Sequence, residues 1–309
     1  MANTPGFLEA YVNYLDARAI NMVGICVQQH GKLLAEHRWA ADEPHQLYSM
    51  SKSYTSIAVG MAMDEGFFSL EDKVVSFFPE LLPDAVSEYT AQTTVRDLLI
   101  MACGVSRPVL MNGASQRADE GEDDEDWAKI FLSAAPDVRP GTKFVYDSGC
   151  TYMLSRIIAK TTGEDLLDFL MPRLFAPLGI ENPVWDRCPL GYSLGGTGLR
   201  LRMAESLPFG QMLLQGGVWE GKRLVSERWV REATTFKIAT DDCGFFYDKS
   251  LGYGYQFWMA REGAFRASGA YGQGCFVIPH KDAVITYNAH TDDMQAILEG
   301  LWEIVIPKL

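Results

Sequence analysis

The chain has 309 residues, 48% apolar and 12% aromatic, enough for one large domain or two that share a core. A formal charge of −13 argues against nucleic acid and anionic membrane as partners, because both call for a basic surface. No apolar run approaches the roughly 18 residues that span a bilayer, and "MANTPGFLEAYVNYLDARAIN" lacks a basic segment followed by an apolar one, so a cytoplasmic location without a membrane anchor is expected.

After a helical opening, "NMVGICVQQHGKLLAEHRWA" reads as two strands joined at "QHGK", a hairpin with Gly31 in its turn. "YSMSKSYTSIAVGMAMDEG" follows, where Ser49 fits a helix N-cap and Ile57 to Met63 a buried helix. Lys52 stands in an electrostatically poor place, since a helix N-terminus carries partial positive charge. Residues i and i+3 share a helix face, so the Ser49 hydroxyl and the Lys52 amine can touch. The helix end lowers the ammonium's pKa, which makes the lysine a usable base. The plain alternative is a lysine that carries its charge to water.

From Leu70 to about Leu201 the periodicity is mostly helical, as in "LEDKVVSFFPELL", "TVRDLLIMACGV", "DWAKIFLSAA" and "TYMLSRIIAKTTGEDLLDFLMPRLF". The acidic run "RADEGEDDEDW" (Arg117 to Trp127) reads as a solvated loop feeding a helix, not a metal site. "GQMLLQGGVWEGKRLVSERWVREATT" continues as helix, turn and helix. Then "YGYQFWMAR", "GAFRASGAYGQGCFVIP" and "DAVITYNAH" read as strands, and "DDMQAILEGLWEIVI" closes as an amphipathic helix. Strands at both ends predict an α+β fold, with one antiparallel sheet built from the N- and C-terminal segments. On this reading residues 1–66 plus 202–309 form the sheet domain and 67–201 a mainly helical insertion. Cys26, Cys103, Cys150, Cys188, Cys243 and Cys275 show no CxxC spacing and read as free thiols. None of the five histidines has metal-ligand spacing, and neither metal nor cofactor is expected.

A nucleophilic Ser49 needs a base, a partner for that base and two backbone donors for the oxyanion. "PGTKFVYDSGC" puts Tyr146 and Ser148 on a tight loop before a strong helix. "RASGAYGQG" puts small residues on a strand, where a ligand could lie close to backbone. At these stretches the chain resembles a known family. Ser49-Met50-Ser51-Lys52 resembles the SxxK motif of serine β-lactamases and penicillin-binding proteins, and Tyr146-Asp147-Ser148 resembles the YxN motif of the class C branch. Ala267-Ser268-Gly269 falls where that branch has K-T-G or H-x-G, and "LFAPLGIENPVW" and "GGTGLRLRMAE" also match in order. The resemblance runs from about Val23 to the C-terminus.

It implies an antiparallel sheet flanked by helices, a helical insertion, and a site in the cleft between. It implies Ser49, Lys52 and Tyr146 as catalytic residues, with Ser148 in support. The oxyanion hole would be the amides of Ser49 and Ala270, with Ser268 and Gly269 on the substrate strand. An ammonium about 4 Å from a phenolate, at an effective dielectric near 20, supplies about 4 kcal/mol. That equals the roughly three units by which Tyr146 must fall to act as a base near pH 7, so Lys52 and Tyr146 are expected to form one coupled base.

Two departures bear on substrate. Ser148 stands where the family commonly has Asn, and Ala267 where many β-lactamases have a lysine that pairs with a substrate carboxylate. No replacement charge is evident, since strand alternation turns the neighbouring Arg266 away. Both argue against a dedicated β-lactamase or DD-peptidase and for a serine hydrolase, an esterase or amidase that forms an acyl-enzyme on Ser49 with a small neutral ester or amide. The alternatives are a true β-lactamase or DD-peptidase, a non-catalytic binding module of the same fold, and an α/β-hydrolase. The last would use Ser193 of "GYSLG" as nucleophile, with His280 or His290.

Overall fold

The computed structural model describes residues 6–111, 114–115, 126–241, 244 and 246–309. Most of the acidic run, and Cys243, lie outside these residues. In chain order the strands are β1 Met22–Gln29, β2 Lys32–Arg38, β3 His45–Gln46, β4 Leu110–Met111, β5 Ala114–Ser115, β6 Val184–Trp185, β7 Leu199–Leu201, β8 Val218–Trp219, β9 Lys222–Arg223, β10 Trp258–Met259, β11 Phe265–Gly269, β12 Gln273–Ile278 and β13 Ala283–Ala289. The α-helices are α1 Glu9–Asp16, α2 Ser51–Asp64, α3 Val74–Phe77, α4 Glu88–Gln92, α5 Val95–Leu99, α6 Trp127–Ser133, α7 Ser148–Thr162, α8 Leu166–Leu170, α9 Ser206–Leu214, α10 Glu227–Ala233 and α11 Met294–Gly300.

The N- and C-terminal strands meet in one antiparallel sheet, ordered β10-β11-β12-β13-β1-β2. His30 (φ 51°) and Gly31 (φ 70°) close the β1–β2 hairpin, and two left-handed residues match the twist of the strands they join. Side-chain alternation then builds the layers. Cys275 and Val277 of β12 pack with α2 and α9, whereas Phe276 and Ile278 pack with α1 and α11 on the opposite face. α9 sits tightly on the sheet because Gly210 has no side chain; a Cβ there would lie 2.5 Å from Val284 Cγ1 and 2.6 Å from Cys275 Sγ.

A second, three-stranded sheet (β3-β7-β6) ties His45–Gln46 to residues 184–201, so the chain entering Ser49 is fixed to the helical part as well as to the main sheet. The expected closing helix is interrupted: α11 ends at Gly300 and continues as a wider turn over Leu301–Val305.

α2 is enclosed on all sides, with Ser51 through Ala62 buried. Small and apolar residues around its whole circumference explain this, since no polar stripe remains for solvent. Gln256 locks it in place. This residue is buried with φ 65°, and its carbonyl accepts from Ser53 Oγ of α2 at 2.7 Å. Its side chain accepts from Thr151 Oγ1 of α7 at 2.6 Å and donates to the Leu99 carbonyl of α5 at 2.8 Å.

The packing of α2 on α10 gives a test. A Cβ on Gly60 would lie 2.2 Å from Trp229 Cδ1. Gly60→Ala gains about 1 kcal/mol of helix propensity but forces the indole away, so a net loss of about 1–3 kcal/mol is expected in denaturant unfolding. A stabilised variant would show that α10 yields freely.

Candidate active site

Ser49 lies in the single 3₁₀ turn Tyr48–Met50 that leads into α2. It does not cap the helix, contrary to the sequence reading. α2 begins behind Met50, whose backbone is already helical and which makes no side-chain cap. The Ser49 hydroxyl is taken up instead by Lys52, whose Nζ lies 3.0 Å from Oγ.

Lys52 is 1% exposed and donates to Ser49 Oγ, to Ser148 Oγ at 3.0 Å and to the Gly196 carbonyl at 2.7 Å. Thr55, one turn along α2, holds the adjacent Gly195 carbonyl at 2.9 Å, so residues 195–196 are stitched to this helix. Burial lowers the Lys52 pKa to about 7. Lys249 adds repulsion, and Asp147 and Cys150 oppose the shift. Removal from water, not the helix end, is therefore the leading cause. As an ammonium Lys52 has three donors for three acceptors. As an amine it keeps two donors, for Gly196 and Ser148, and turns a lone pair to the Ser49 O–H.

Tyr146 is hydrogen-bonded to Ser49, and its ring centroid lies 4.9 Å from Lys52 Nζ. Burial raises its pKa, and the bond to Ser49 only partly opposes this. The expected low-pKa tyrosine is thus corrected. Lys52 faces the π surface of the ring, and an amine with a pKa of about 7 is only about half charged at pH 7, less than a full ammonium would offer a phenolate. The ring is set by Trp258, stacked at 5.7 Å, and by Phe144 and Tyr253 at its edges.

Asp147, between these residues in sequence, was not singled out, although an Asp before a helix start is a capping signal. It is fully buried and accepts from the amides of Val109 (2.8 Å), Leu110 (3.1 Å) and Gly149 (2.7 Å). Burial lifts its pKa to about 6 despite these bonds and Lys52. It starts α7, and so fixes where Ser148 meets Lys52. The thiols of Cys103 and Cys150 and the Asp147 carboxylate lie within 4.8 Å of one another, but the carboxylate oxygens are occupied by these amides.

β11 runs past the Ser49 turn. A Cβ on Gly269 would lie 2.1 Å from the Leu47 carbonyl, so glycine alone lets the strand end come this close. Ser268 is half-buried beside it. Ala270 follows in the turn to β12, and the amides of Ser49 and Ala270 donate to no other group among the described residues. Two such amides are what an oxyanion requires.

Ala267 is buried, and Arg266 turns to the carbonyls of Met259 (3.1 Å) and Asp248 (2.5 Å). A second cation lies near Lys52. Lys249, over the rings of Phe246 (5.0 Å) and Trp258 (5.3 Å), is close enough to depress Lys52. Burial, then Arg266, lowers its own pKa to about 8. No spacing rule links it to Ser49, which is why sequence reasoning missed it.

The rival serine is placed elsewhere. Ser193 is fully buried, its hydroxyl donates to Asp165 at 2.5 Å, and Asp165 also caps α8. An isolated bridge to Arg187, not a strand running into a helix, surrounds it. His280 pairs with Glu262 at 3.1 Å, and His290 packs against His45. The nucleophile-elbow reading is therefore set aside.

A family model described as Beta-lactamase matches residues 8–303. The 6-aminohexanoate-dimer hydrolase of Paenarthrobacter ureafaciens is 28% identical over 279 residues, covering 84% of this chain and 70% of that protein. Lovastatin esterase of Penicillium rubens is 24% identical over 197 residues, 57% of this chain and 48% of its own length. The crystal structure of a penicillin-binding protein homologue from Caulobacter crescentus is similar with a TM-score of 0.76 at 14% identity, covering 100% of this chain and 99% of that one. Among the described residues no helix is long and apolar enough to cross a membrane. Since the family model spans nearly the whole chain, from residue 8 to residue 303, this protein belongs to the beta-lactamase family, whose members are hydrolases.

Proposed function

We propose that this protein is a serine hydrolase that forms an acyl-enzyme on Ser49 and acts as an esterase or amidase on small neutral acyl substrates. The site then lies in the cleft between the sheet part (1–66 with 202–309) and the helical part (67–201). The observation that carries the reading is the buried Lys52 amine, held at once by Ser49, Ser148 and the Gly196 carbonyl. Relatives named as a 6-aminohexanoate-dimer hydrolase and a lovastatin esterase support an acyl-cleaving role.

In this mechanism neutral Lys52 accepts the Ser49 proton as Oγ attacks the acyl carbon. The oxyanion is held by the amides of Ser49 and Ala270. Tyr146, kept as a phenol by burial, passes a proton to the leaving oxygen or nitrogen and recovers one from the Lys52 ammonium. Water then repeats the sequence on the acyl-enzyme. Ala267 offers no charge to a substrate carboxylate, and the Ser148 hydroxyl is a single short donor.

Three expectations follow from this chemistry. A serine-directed arylphosphonate should label Ser49, read by peptide mass, and Ser49→Ala should abolish the label; an adduct elsewhere in Ser49→Ala would overturn the assignment. Short-chain aryl esters should exceed benzylpenicillin in kcat/KM by about tenfold to hundredfold, the worth of a lost charged hydrogen bond. Penicillin as the better substrate would restore the β-lactamase reading, and no ester turnover the binding-module one. The acidic limb of kcat/KM should fall near pH 7, because below it Lys52 is protonated and cannot accept. Lys52→Met should remove most of kcat. Tyr146→Phe should lower kcat while leaving that limb in place, and the double variant should be little worse than Lys52→Met. A limb that moves with Tyr146→Phe would return the base role to the tyrosine.

A further inference from the structure

Nine non-glycine residues among those described have positive φ, and most of them close surface turns. Two are tyrosines beside the site. Tyr48 (φ 48°) immediately precedes Ser49, and Tyr271 (φ 60°) immediately follows Ala270. Each therefore adjoins one of the two amides assigned above to the oxyanion hole. A bulky aromatic residue in the left-handed region is a genuine outlier, and an outlier of this kind at a site points to a role there.

Their rings meet edge to face, with centroids 5.0 Å apart and planes at 68°. Tyr271 is 45% exposed, so core burial does not explain its place. On the same two segments, Gly269 lies against the Leu47 carbonyl. The two segments thus meet at two points, the backbones of Leu47 and Gly269 and the rings of Tyr48 and Tyr271, and Ser49 and Ala270 are chain neighbours of these contacts. A single contact would let one segment pivot on the other; the second fixes the angle. The remaining freedom of the 270–272 turn is restrained by Thr291 N–H, which donates to the Tyr271 carbonyl at 3.1 Å, and by the Gln273 amide, which donates to Ala270 O (3.5 Å) and Ala289 O (2.6 Å).

We propose that the Tyr48–Tyr271 ring contact is a positioning brace for the oxyanion hole, holding the amides of Ser49 and Ala270 at the span that a tetrahedral acyl oxyanion needs. The inference rests on the Ser49 acyl-enzyme reading. Both donors must reach one oxygen at about 3 Å, so a small displacement of either weakens transition-state binding more than substrate binding. The brace uses the rings and not the hydroxyls.

The test is steady-state hydrolysis of a p-nitrophenyl ester by Tyr271→Phe, Tyr271→Ala, Tyr271→Gly, Tyr48→Ala and the double alanine variant, with thermal unfolding of each. Tyr271→Phe should stay within about twofold of the parent. Tyr271→Ala and Tyr271→Gly should each lose about tenfold to hundredfold in kcat with KM within about threefold, less than the loss of a whole oxyanion donor. The double alanine variant should be no worse than either single one, since both remove the same contact. Should Tyr271→Ala fail to fold, Tyr271→Leu, which keeps bulk without the edge-to-face geometry, is read in its place. Unchanged kcat would overturn the proposal, as would a loss confined to KM, recovery by glycine, or fully additive losses. Phosphonate labelling of the parent separates this outcome from failure of the underlying reading: with the adduct on Ser49 and kcat unchanged in Tyr271→Ala, only the brace falls.

Discussion

The removal of one amine from water is the constraint on which the site depends. Lys52 in the folded chain has a pKa of about 7 against an ordinary 10.5, on the order of 5 kcal/mol of destabilisation at low pH. For a lysine depressed in this way the penalty is full below the folded value. It shrinks as pH rises from about 7 towards 10.5, and is gone above the unfolded value. Three acceptors from three parts of the chain hold the amine: the turn before α2, the first residue of α7, and the glycine segment before β7. Each of those elements is in turn fixed by buried hydrogen bonds.

Asp147 and Gln256 are the principal fixings. Asp147 is a buried carboxylate that spends its acceptors on three amides, so that the loop at Val109 and Leu110 and the start of α7 keep one geometry. Gln256 adopts a left-handed backbone that a side-chain-bearing residue rarely takes, and in that pose connects α2, α5 and α7. Both are unfavourable taken singly. They persist because the surrounding packing over-determines them, and the strain sits next to the reacting groups.

The electrostatics of the cleft follow from where its cations stand. Lys52 stands over the ring of Tyr146 and Lys249 over those of Phe246 and Trp258, and Lys249 repels the Lys52 ammonium. Their mutual repulsion favours a neutral Lys52, and burial of Tyr146 keeps its proton in place. An amine that loses its proton near pH 7, beside a neutral phenol, differs from the ammonium–phenolate pair the sequence alone suggests, although the same two side chains are involved. In the proposed mechanism the lysine takes the proton and the tyrosine returns one, within a single hydrogen-bonded set.

Local pattern was enough to determine much of this. Strand-like runs, those at the C-terminus rich in β-branched and aromatic residues and bounded by turn signals, gave the sheet strands, "QHGK" gave the hairpin turn, and the helix face shared by Ser49 and Lys52 gave their contact, because these depend on neighbours only a few residues apart. The ordered motifs around Tyr146 and Ala270 pointed to the family for the same reason. The tertiary structure decided what depends on distant neighbours. Ser49 bonds Lys52 instead of capping α2, the first cause of the Lys52 shift is burial, and Tyr146 is pushed up, not down. Lys249 reaches the site across almost 200 residues of chain, and Ser193 is claimed by Asp165. Desolvation and the orientation of a charge over a ring belong to the packed molecule, and no spacing along the chain encodes them.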